Sequence, residues 1–104
     1  MTEKPLDVNF SDHEDRPEGG VSTGVGFTIS WQRGPCPEPK DRNGAFLIEV
    51  LESCAVRLGF YQSSAFSCVE NEQALGHLQD AINLLKARRD RRRAAGILGS
   101  HEKD

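Results

Sequence analysis

Residues 67–93, SCVENEQALGHLQDAINLLKARRDRRR, decide the fold. Their apolar side chains recur in steps of three and four, the spacing by which two antiparallel helices pack along a seam. Ser67 and Glu70 have the spacing of a capping box, which opens a helix. The stretch therefore predicts a helix over about residues 67–95, packed against a second helix. Its seam residues are Leu75, Leu78, Ile82 and Leu85.

The second helix is predicted just upstream, over about residues 44–61. Its apolar side chains return every three or four residues, which is the pattern of an amphipathic helix. Asn43 has the side chain expected of an N-cap, and Ser63 and Ser64 mark a turn before the next helix. Together the two segments predict an antiparallel hairpin. The apolar residues of the upstream helix are Leu47, Val50, Leu51, Cys54 and Leu58.

Ahead of the hairpin, residues 25–33 alternate apolar side chains with small or polar ones. A period of two among β-prone residues predicts a strand, which Gly34 and Pro35 end. The expected fold class is α+β, with one or more short N-terminal strands followed by the two-helix hairpin. One strand and two helices leave apolar faces uncovered, so we expect the chain to complete its core as a homo-oligomer. The alternating apolar residues are Val25, Phe27, Ile29 and Trp31.

The start of the chain differs in composition from the rest. Residues 1–20 contain six acidic residues, two prolines and a glycine pair, with three sizeable apolar side chains. Such a segment buries too little surface to offset the entropy lost on ordering. The sequence thus predicts a disordered acidic arm over residues 1–22 and a single domain over residues 23–104, which ends in a short tail.

A cationic cluster marks the end of the downstream helix. One lysine and five arginines fall within residues 86–93 of a chain whose net charge is −3. A compact cluster on an acidic protein suits a small anion better than nucleic acid, which is bound by a broad basic face. Continued at the same spacing, the apolar seam reaches Arg89 and Arg92. Arg88 and Arg92 are four residues apart on one helix face, a pairing that suits a phosphate. The alternative is a solvated helix end, where the macrodipole favours cations.

Aromatic side chains flank the predicted turn. A planar ring near cations provides a stacking platform beside a phosphate clamp, so Tyr61 is a candidate for stacking on a base. Asn71, in the first turn of the downstream helix, is a candidate for pairing with a base edge or a ribose hydroxyl. The alternatives are hydrophobic closure of the hairpin end, which is favoured for Phe66, and a solvated surface position for Asn71.

The sequence contains no recognisable catalytic or metal-binding constellation. Cys36, Cys54 and Cys68 have no ligand spacing to one another or to the histidines, and no nucleophile, paired carboxylate or P-loop pattern occurs. We therefore expect no enzymatic activity, no metal and no cofactor. An odd cysteine count without a signal peptide points to a reducing cytosol, and no apolar run approaches transmembrane length.

An ordered set of these residues resembles the hairpin domain shared by phage anti-CBASS and anti-Thoeris sponge proteins. The resemblance covers about three quarters of the chain, over residues 26–101, and no single motif in it is diagnostic. Upstream of the hairpin it includes Trp31-Gln32, Gly34-Pro35 and Asn43-Gly44. Within the hairpin and tail the matching residues are Phe60 to Ser64, Phe66, Cys68, Glu70, Asn71, Ala74, Leu78, Ala81, Leu85, Arg88, Arg92 and Gly96 to His101.

The resemblance implies a sponge that holds nucleotide messengers of bacterial immunity, cyclic oligonucleotides or cyclic ADP-ribose isomers, without cleaving them. It implies symmetric oligomers, often hexamers, with pockets between protomers, in the cytoplasm of the host bacterium. It also implies ligand contacts from an aromatic ring, an asparagine and two arginines four apart. The residues that match this set are Tyr61, Asn71, Arg88 and Arg92.

Near the tail, two positions depart from the family pattern. Ser100 stands where the family commonly has a threonine, and we include it among the candidate ligand contacts. Ala95 replaces an arginine, which removes a cation from a second nucleotide site in that region.

Three other functions stay open at this point. A nucleic-acid-associated phage protein would use the arginines to follow backbone phosphates, with binding that depends strongly on salt. A structural oligomerisation module would pair them with glutamates across a subunit interface and melt at the same temperature with every nucleotide. An enzyme acting on the messenger has the least support, because no acid–base pair or metal site accompanies the arginines.

Overall fold

The computed structural model describes residues 6–96, which contain three strands and two long helices. The chain divides into two compact units, a sheet unit up to Phe46 and a helical unit, Leu47–Ala94, whereas the sequence predicts one domain over residues 23–104. The predicted α+β class, with N-terminal strands followed by a helical hairpin, is confirmed. The elements are β1 (Leu6–Ser11), β2 (Pro17–Gly24), β3 (Phe27–Trp31), a 3-10 turn (Pro39–Asp41), α1 (Leu47–Gln62) and α2 (Val69–Ala94).

The sheet unit is an antiparallel meander in the order β1-β2-β3. Val8 on β1 lies opposite Val21 on β2. These first two strands lie where the sequence predicts a disordered arm over residues 1–22, and the structure corrects that prediction over residues 6–22. Composition misleads here because the strands are held by ladder hydrogen bonds and cross-strand contacts rather than by burial of many large apolar groups.

The middle strand is closely packed at Gly20, which is buried and has a φ of +142°. A Cβ atom there would overlap the carbonyl oxygen of Val8 on the neighbouring strand, so this position requires glycine. Nearby, the Trp31 indole N–H donates to Ser22 Oγ at 2.7 Å, and Ser22 Oγ donates to the Asp7 carboxylate. This chain of hydrogen bonds crosses all three strands and ties them together.

Asp12 organises the loop between β1 and β2. Its carboxylate accepts hydrogen bonds from the backbone N–H groups of Glu14 (2.8 Å) and Arg16 (3.1 Å) and from the Arg16 Nε (2.8 Å). Burial alone would raise the pKa of Asp12, but these hydrogen bonds and the charge of Arg16 outweigh it and lower the pKa to about 2. The acidic composition of this segment therefore belongs to a hydrogen-bonded turn rather than to a disordered arm.

The chain after β3 folds back along the same strand. Ala45 forms a parallel bridge with Trp31. Asn43, predicted as a helix N-cap, instead accepts a hydrogen bond from the Arg33 N–H at 2.8 Å and donates to the Arg33 carbonyl at 3.0 Å. Because α1 begins only after this contact, the side chain that has the character of a cap serves to hold the loop to the sheet unit.

The helical unit follows the prediction closely, since both helices begin and end within three residues of the expected bounds. On α2 the predicted seam is confirmed. Leu75, Leu78 and Leu85 are half-buried, and Ile82 is buried with 6% of its surface exposed. No helix within the described part of the chain is both long and apolar enough to cross a membrane.

On α1 three of the five predicted inward residues, Val50, Leu51 and Leu58, are half-buried, and the other two are not. Leu47 and Cys54 are exposed, whereas Leu51, Ala55 and Leu58 are half-buried and form the inward stripe. The small alanine occupies the position that the sequence pattern assigns to the neighbouring cysteine. An alanine contributes little to an apolar pattern, although its size suits a close contact between helices.

The turn between the helices is closed by its own side chains. Gln62 Oε1 accepts a hydrogen bond from the Cys68 N–H at 3.0 Å. The N-cap of α2 is Cys68, whose Sγ accepts from the Asn71 N–H at 3.4 Å. The predicted capping box of Ser67 and Glu70 is therefore wrong: the N-cap contact is made one residue later, by a thiol, and the N–H of Cys68 bonds to Gln62 rather than to a side chain of the first helical turn.

Candidate functional site

The seam of α2 becomes cationic towards the end of the helix. The spacing of Leu78, Ile82 and Leu85 continues to Arg89, which is half-buried, and to Arg92, which is only 6% exposed. The apolar stripe and part of the arginine cluster therefore share one helix face, as the sequence predicts. The remaining arginines of the cluster are exposed and are Arg88, Arg91 and Arg93.

Arg88 and Arg92, the predicted phosphate pair, have different surroundings. Arg88 is exposed, and no carboxylate of the described residues lies within ion-pair distance of it. By contrast, Arg89 and Arg93 contact the Asp90 carboxylate at 3.3 and 3.7 Å. Arg92 is buried at a position that continues the spacing of the seam, and a buried guanidinium group needs polar partners. Of the pair, Arg88 is the one that a ligand can approach directly from solvent.

Tyr61 occupies the last turn of α1, at the opposite end of the hairpin. It is 45% exposed, and its ring lies beside that of Phe60 with 6.0 Å between centroids. The guanidinium carbon of Arg57 lies 5.5 Å from the Phe60 centroid and 5.6 Å from the Tyr61 centroid. Arg57 is not among the predicted site residues, although its spacing of three and four residues from the rings places it on their helix face.

Asn71 lies in the first turn of α2 and is half-buried. Its side-chain N–H donates to the Phe66 carbonyl at 3.3 Å. One of the two amide N–H groups therefore holds the turn, while the amide oxygen accepts no hydrogen bond from any described residue. A ligand contact made by Asn71 would use that oxygen.

The predicted ligand residues form two groups along the helical unit. Tyr61 and Asn71 flank the turn, whereas Arg88 and Arg92 lie in the last turns of α2. Arg88 follows Asn71 by 17 residues, a distance of about 26 Å at the helical rise of 1.5 Å per residue. The two groups of one chain cannot meet around a single small nucleotide. Ser100, the remaining candidate, lies outside the described residues.

A groove of about 230 Å³ runs between α1 and α2. An ion pair between Lys86 Nζ and Glu52 Oε2, at 3.0 Å, lies at its edge. The groove contains apolar and amide groups without a concentration of positive charge, so it lacks the character of a phosphate site. Within residues 6–96, no group of three or more histidine, cysteine or acidic side chains is arranged to hold a metal ion. The lining residues are Glu52, Ala55, Val56, Gln79, Ile82, Asn83 and Lys86.

Comparison with known proteins finds relatives that share the hairpin. Residues 24–89 match the family described as Acb2/Tad1, hairpin domain. This range includes Tyr61, Asn71 and Arg88 and ends before Arg92. The chain is also 34% identical over 76 residues to a protein of Bacillus phage SBSphiJ7 named Thoeris anti-defense 1. The aligned segment covers 73% of this chain and 53% of that protein, so the chain spans about half the length of the curated relative it matches.

Proposed function

The chain belongs to the Acb2/Tad1 hairpin family, and we propose that it is a phage anti-defence protein that acts as a non-enzymatic sponge. It binds a nucleotide second messenger, a cyclic ADP-ribose isomer or a cyclic oligonucleotide. By holding the messenger in the host cytoplasm, it withholds the signal from anti-phage immunity. The observation that carries this proposal is the presence, on the matched hairpin, of an exposed ring, an available amide oxygen and an exposed arginine at the expected positions.

The pocket is proposed to form between copies of the chain. Tyr61 and Arg88 belong to groups about 26 Å apart on one hairpin, so a nucleotide that contacts both needs arginines from a second copy. The helical unit also exposes large apolar side chains, which a homo-oligomer such as a hexamer would cover. The most exposed, at 62% to 81%, are Val56, Phe66, Val69 and Leu84.

Each residue of the proposed pocket has a role that follows from its chemistry. Tyr61 stacks on a base, and Asn71 offers its amide oxygen to a donor on the base or ribose. Arg88 binds a phosphate from the helix surface through paired charge-assisted hydrogen bonds, and Arg92 adds a second guanidinium one turn further along. Ser100 adds a hydroxyl contact from the tail.

A ligand panel tests the function. Cyclic ADP-ribose isomers and cyclic oligonucleotides are incubated with the protein, which is then separated and heated to release what it holds. One messenger should be retained and recovered chemically intact, because sequestration breaks no bond. Recovery of a cleaved product would indicate an enzyme. An unchanged melting temperature with every nucleotide would favour a structural module.

Arg88→Ala and Arg92→Ala test the phosphate contacts. A hydrogen bond to a charged group contributes about 1.5–3 kcal/mol, so each substitution should weaken binding about tenfold to a hundredfold in calorimetry. Arg93→Ala is the matched control, because Arg93 is exposed and already contacts Asp90. Melting curves separate lost affinity from lost stability for the buried Arg92. Negligible effects of both Arg88→Ala and Arg92→Ala on affinity would contradict the phosphate role and leave Arg88 as a solvated cation and Arg92 as a structural one.

Tyr61→Ala and Tyr61→Phe test the stacking role. The alanine variant should lose as much affinity as an arginine variant, because a stacked base contributes about 1–3 kcal/mol. The phenylalanine variant should bind almost as well as the wild type, since it keeps the ring. A large loss in Tyr61→Phe would show that the hydroxyl, rather than the ring face, contacts the ligand.

Sedimentation at micromolar concentration tests the assembly. The exposed apolar side chains and the separated ligand groups both support a stable homo-oligomer. A monomer at that concentration would contradict a pocket shared between copies.

A further inference from the structure

Arg57 places a cation at the aromatic end of the hairpin. Its side chain is exposed, and its guanidinium carbon lies 5.5 Å from the Phe60 centroid and 5.6 Å from the Tyr61 centroid. Both rings are also exposed to solvent, Phe60 at 59% and Tyr61 at 45%. An arginine held against two rings has fewer conformations to lose on binding a ligand than one that extends into water.

Within residues 6–96, no acceptor competes for the N–H groups of Arg57. Among the described residues, no carboxylate lies within ion-pair distance of Arg57 and no hydrogen bond engages its guanidinium. Two other cations of the helical unit are engaged, Lys86 with Glu52 at 3.0 Å and Arg89 with Asp90 at 3.3 Å. Contact with a ring uses the face of a guanidinium group and leaves its N–H edge, which is the edge that forms paired hydrogen bonds with phosphate.

We infer that Arg57 binds a phosphate of the nucleotide whose base stacks on Tyr61. This inference rests on the proposed sponge function and extends its set of ligand residues. Arg88 lies in a group about 26 Å from the turn on the same chain, so it serves another phosphate, or the ligand of another copy. The pocket then favours a messenger with more than one phosphate, and it discriminates against nucleosides and free bases, which offer no anion to either arginine.

Calorimetry of Arg57→Ala and Arg57→Lys against the panel of cyclic ADP-ribose isomers and cyclic oligonucleotides tests the inference. Arg57→Ala should weaken the binding of the retained messenger about tenfold to a hundredfold, as expected for the loss of a charge-assisted contact. Arg57→Lys should lose less, because it keeps the charge and loses only the paired geometry. Affinity should also depend less on salt concentration in Arg57→Ala than in the wild type, because one ionic contact is gone.

The salt dependence separates ligand binding from a purely structural role. If Arg57 only stabilised α1 by lying on the rings, Arg57→Ala would lower the melting temperature without changing how affinity varies with salt. Arg57→Lys keeps the inference testable if the alanine variant does not fold. Arg93→Ala is the control for the loss of an arginine that already contacts a carboxylate, that of Asp90. Arg57→Lys, which keeps the charge, should retain the salt dependence of the wild type, whereas an unchanged salt dependence in Arg57→Ala would overturn the inference.

The outcomes distinguish the inference from the function on which it rests. A wild-type protein that binds no member of the panel overturns both. A wild-type protein that binds a messenger, together with an Arg57→Ala variant that binds it with equal affinity, overturns the role of Arg57 and leaves the sponge function standing.

Discussion

Different kinds of contact stabilise the interior of the sheet unit and the interior of the helical unit. Hydrogen bonds from polar side chains organise the sheet unit, as at Asp12 and along the path from Trp31 through Ser22 to Asp7. The helical unit relies instead on an apolar seam centred on Ile82. A polar, glycine-containing segment is therefore ordered when its hydrogen-bond donors and acceptors find partners, even where its hydrophobicity is low.

The two units also differ in how local their stabilising contacts are. A helix seam repeats every three or four residues, so a short window of sequence reveals it. The sheet unit depends on pairs such as Val8 with Val21, which are distant along the chain. Substitutions that act on one kind of contact should therefore affect one unit more than the other.

Gly20→Ala should have the largest effect and should act on the sheet unit. The added Cβ would overlap the Val8 carbonyl at a residue whose φ is +142°. Backbone strain and overpacking each cost about 1–3 kcal/mol, so the sheet should be destabilised by about 2–6 kcal/mol. Fluorescence of Trp31, the single tryptophan, follows the sheet unit, while circular dichroism follows the helices.

Gly26→Ala separates the two causes. Gly26 also has a positive φ, +96°, but a Cβ there would meet no atom within 4 Å. This variant should therefore show only the strain, and it should lose less stability than Gly20→Ala. If Gly20→Ala abolished the helical signal together with the tryptophan signal, the two units would unfold as one, and the contrast between them would fail.

Ile82→Ala should have the next largest effect and should act on the helical unit. Truncation of a buried isoleucine costs about 2–5 kcal/mol, and the lower end applies here because Ile82 borders a groove into which neighbours can relax. Gln73→Ala is the control on the same helix, since Gln73 is exposed and polar and should change stability by less than about 0.5 kcal/mol. Comparable losses in the two variants would mean that the seam does not run through Ile82.

Gly76→Ala should raise stability. Gly76 lies within α2, and a Cβ there would meet no atom within 4 Å, so alanine should stabilise the helix by about 1 kcal/mol. Gly96→Ala should change stability in the opposite direction, because Gly96 has a φ of +76°. A melting temperature that falls in Gly76→Ala would show that this side of α2 is closely covered in the assembled protein.

The sequence predicts the helices well and the sheet poorly, for a physical reason. The seam of α2 can be recognised in the sequence even where it ends in Arg89 and Arg92, because the spacing of the seam positions does not depend on which residues occupy them. The sequence pattern does not reveal the first two strands, because they contain glycine and acidic residues and their partners lie outside any local window. Asn43 and Asp12 show the same limit, since the pattern places Asn43 at a helix cap and Asp12 in a disordered arm.

The sequence predicts which residues form the candidate site, but it does not predict how their side chains are arranged. Tyr61 and Arg88 stand out in the sequence, and the structure leaves both exposed. Their separation along one hairpin follows from helix length, which the sequence also provides. The contact of Arg57 with the two rings depends on side-chain conformation, and for that reason it emerges only in the structure.

Asp12→Asn should have the smallest effect at neutral pH, because the amide oxygen of asparagine still accepts the backbone hydrogen bonds of the loop and the main loss is the charge-assisted contact with Arg16.

The way in which its stability depends on pH distinguishes this variant from the wild type more clearly than its stability at neutral pH. Because folding lowers the pKa of Asp12 from 3.8 to about 2, the ionised carboxylate stabilises the sheet fully above about pH 4, and this contribution is lost as the pH falls towards 2. The stability difference between wild type and Asp12→Asn, followed by tryptophan fluorescence, should therefore shrink over that interval. Asp15→Asn is the control, since Asp15 is exposed in the same loop at a φ of 59° that asparagine tolerates. A difference that stays constant from pH 6 to pH 2 would show that the loop does not depend on the Asp12 charge.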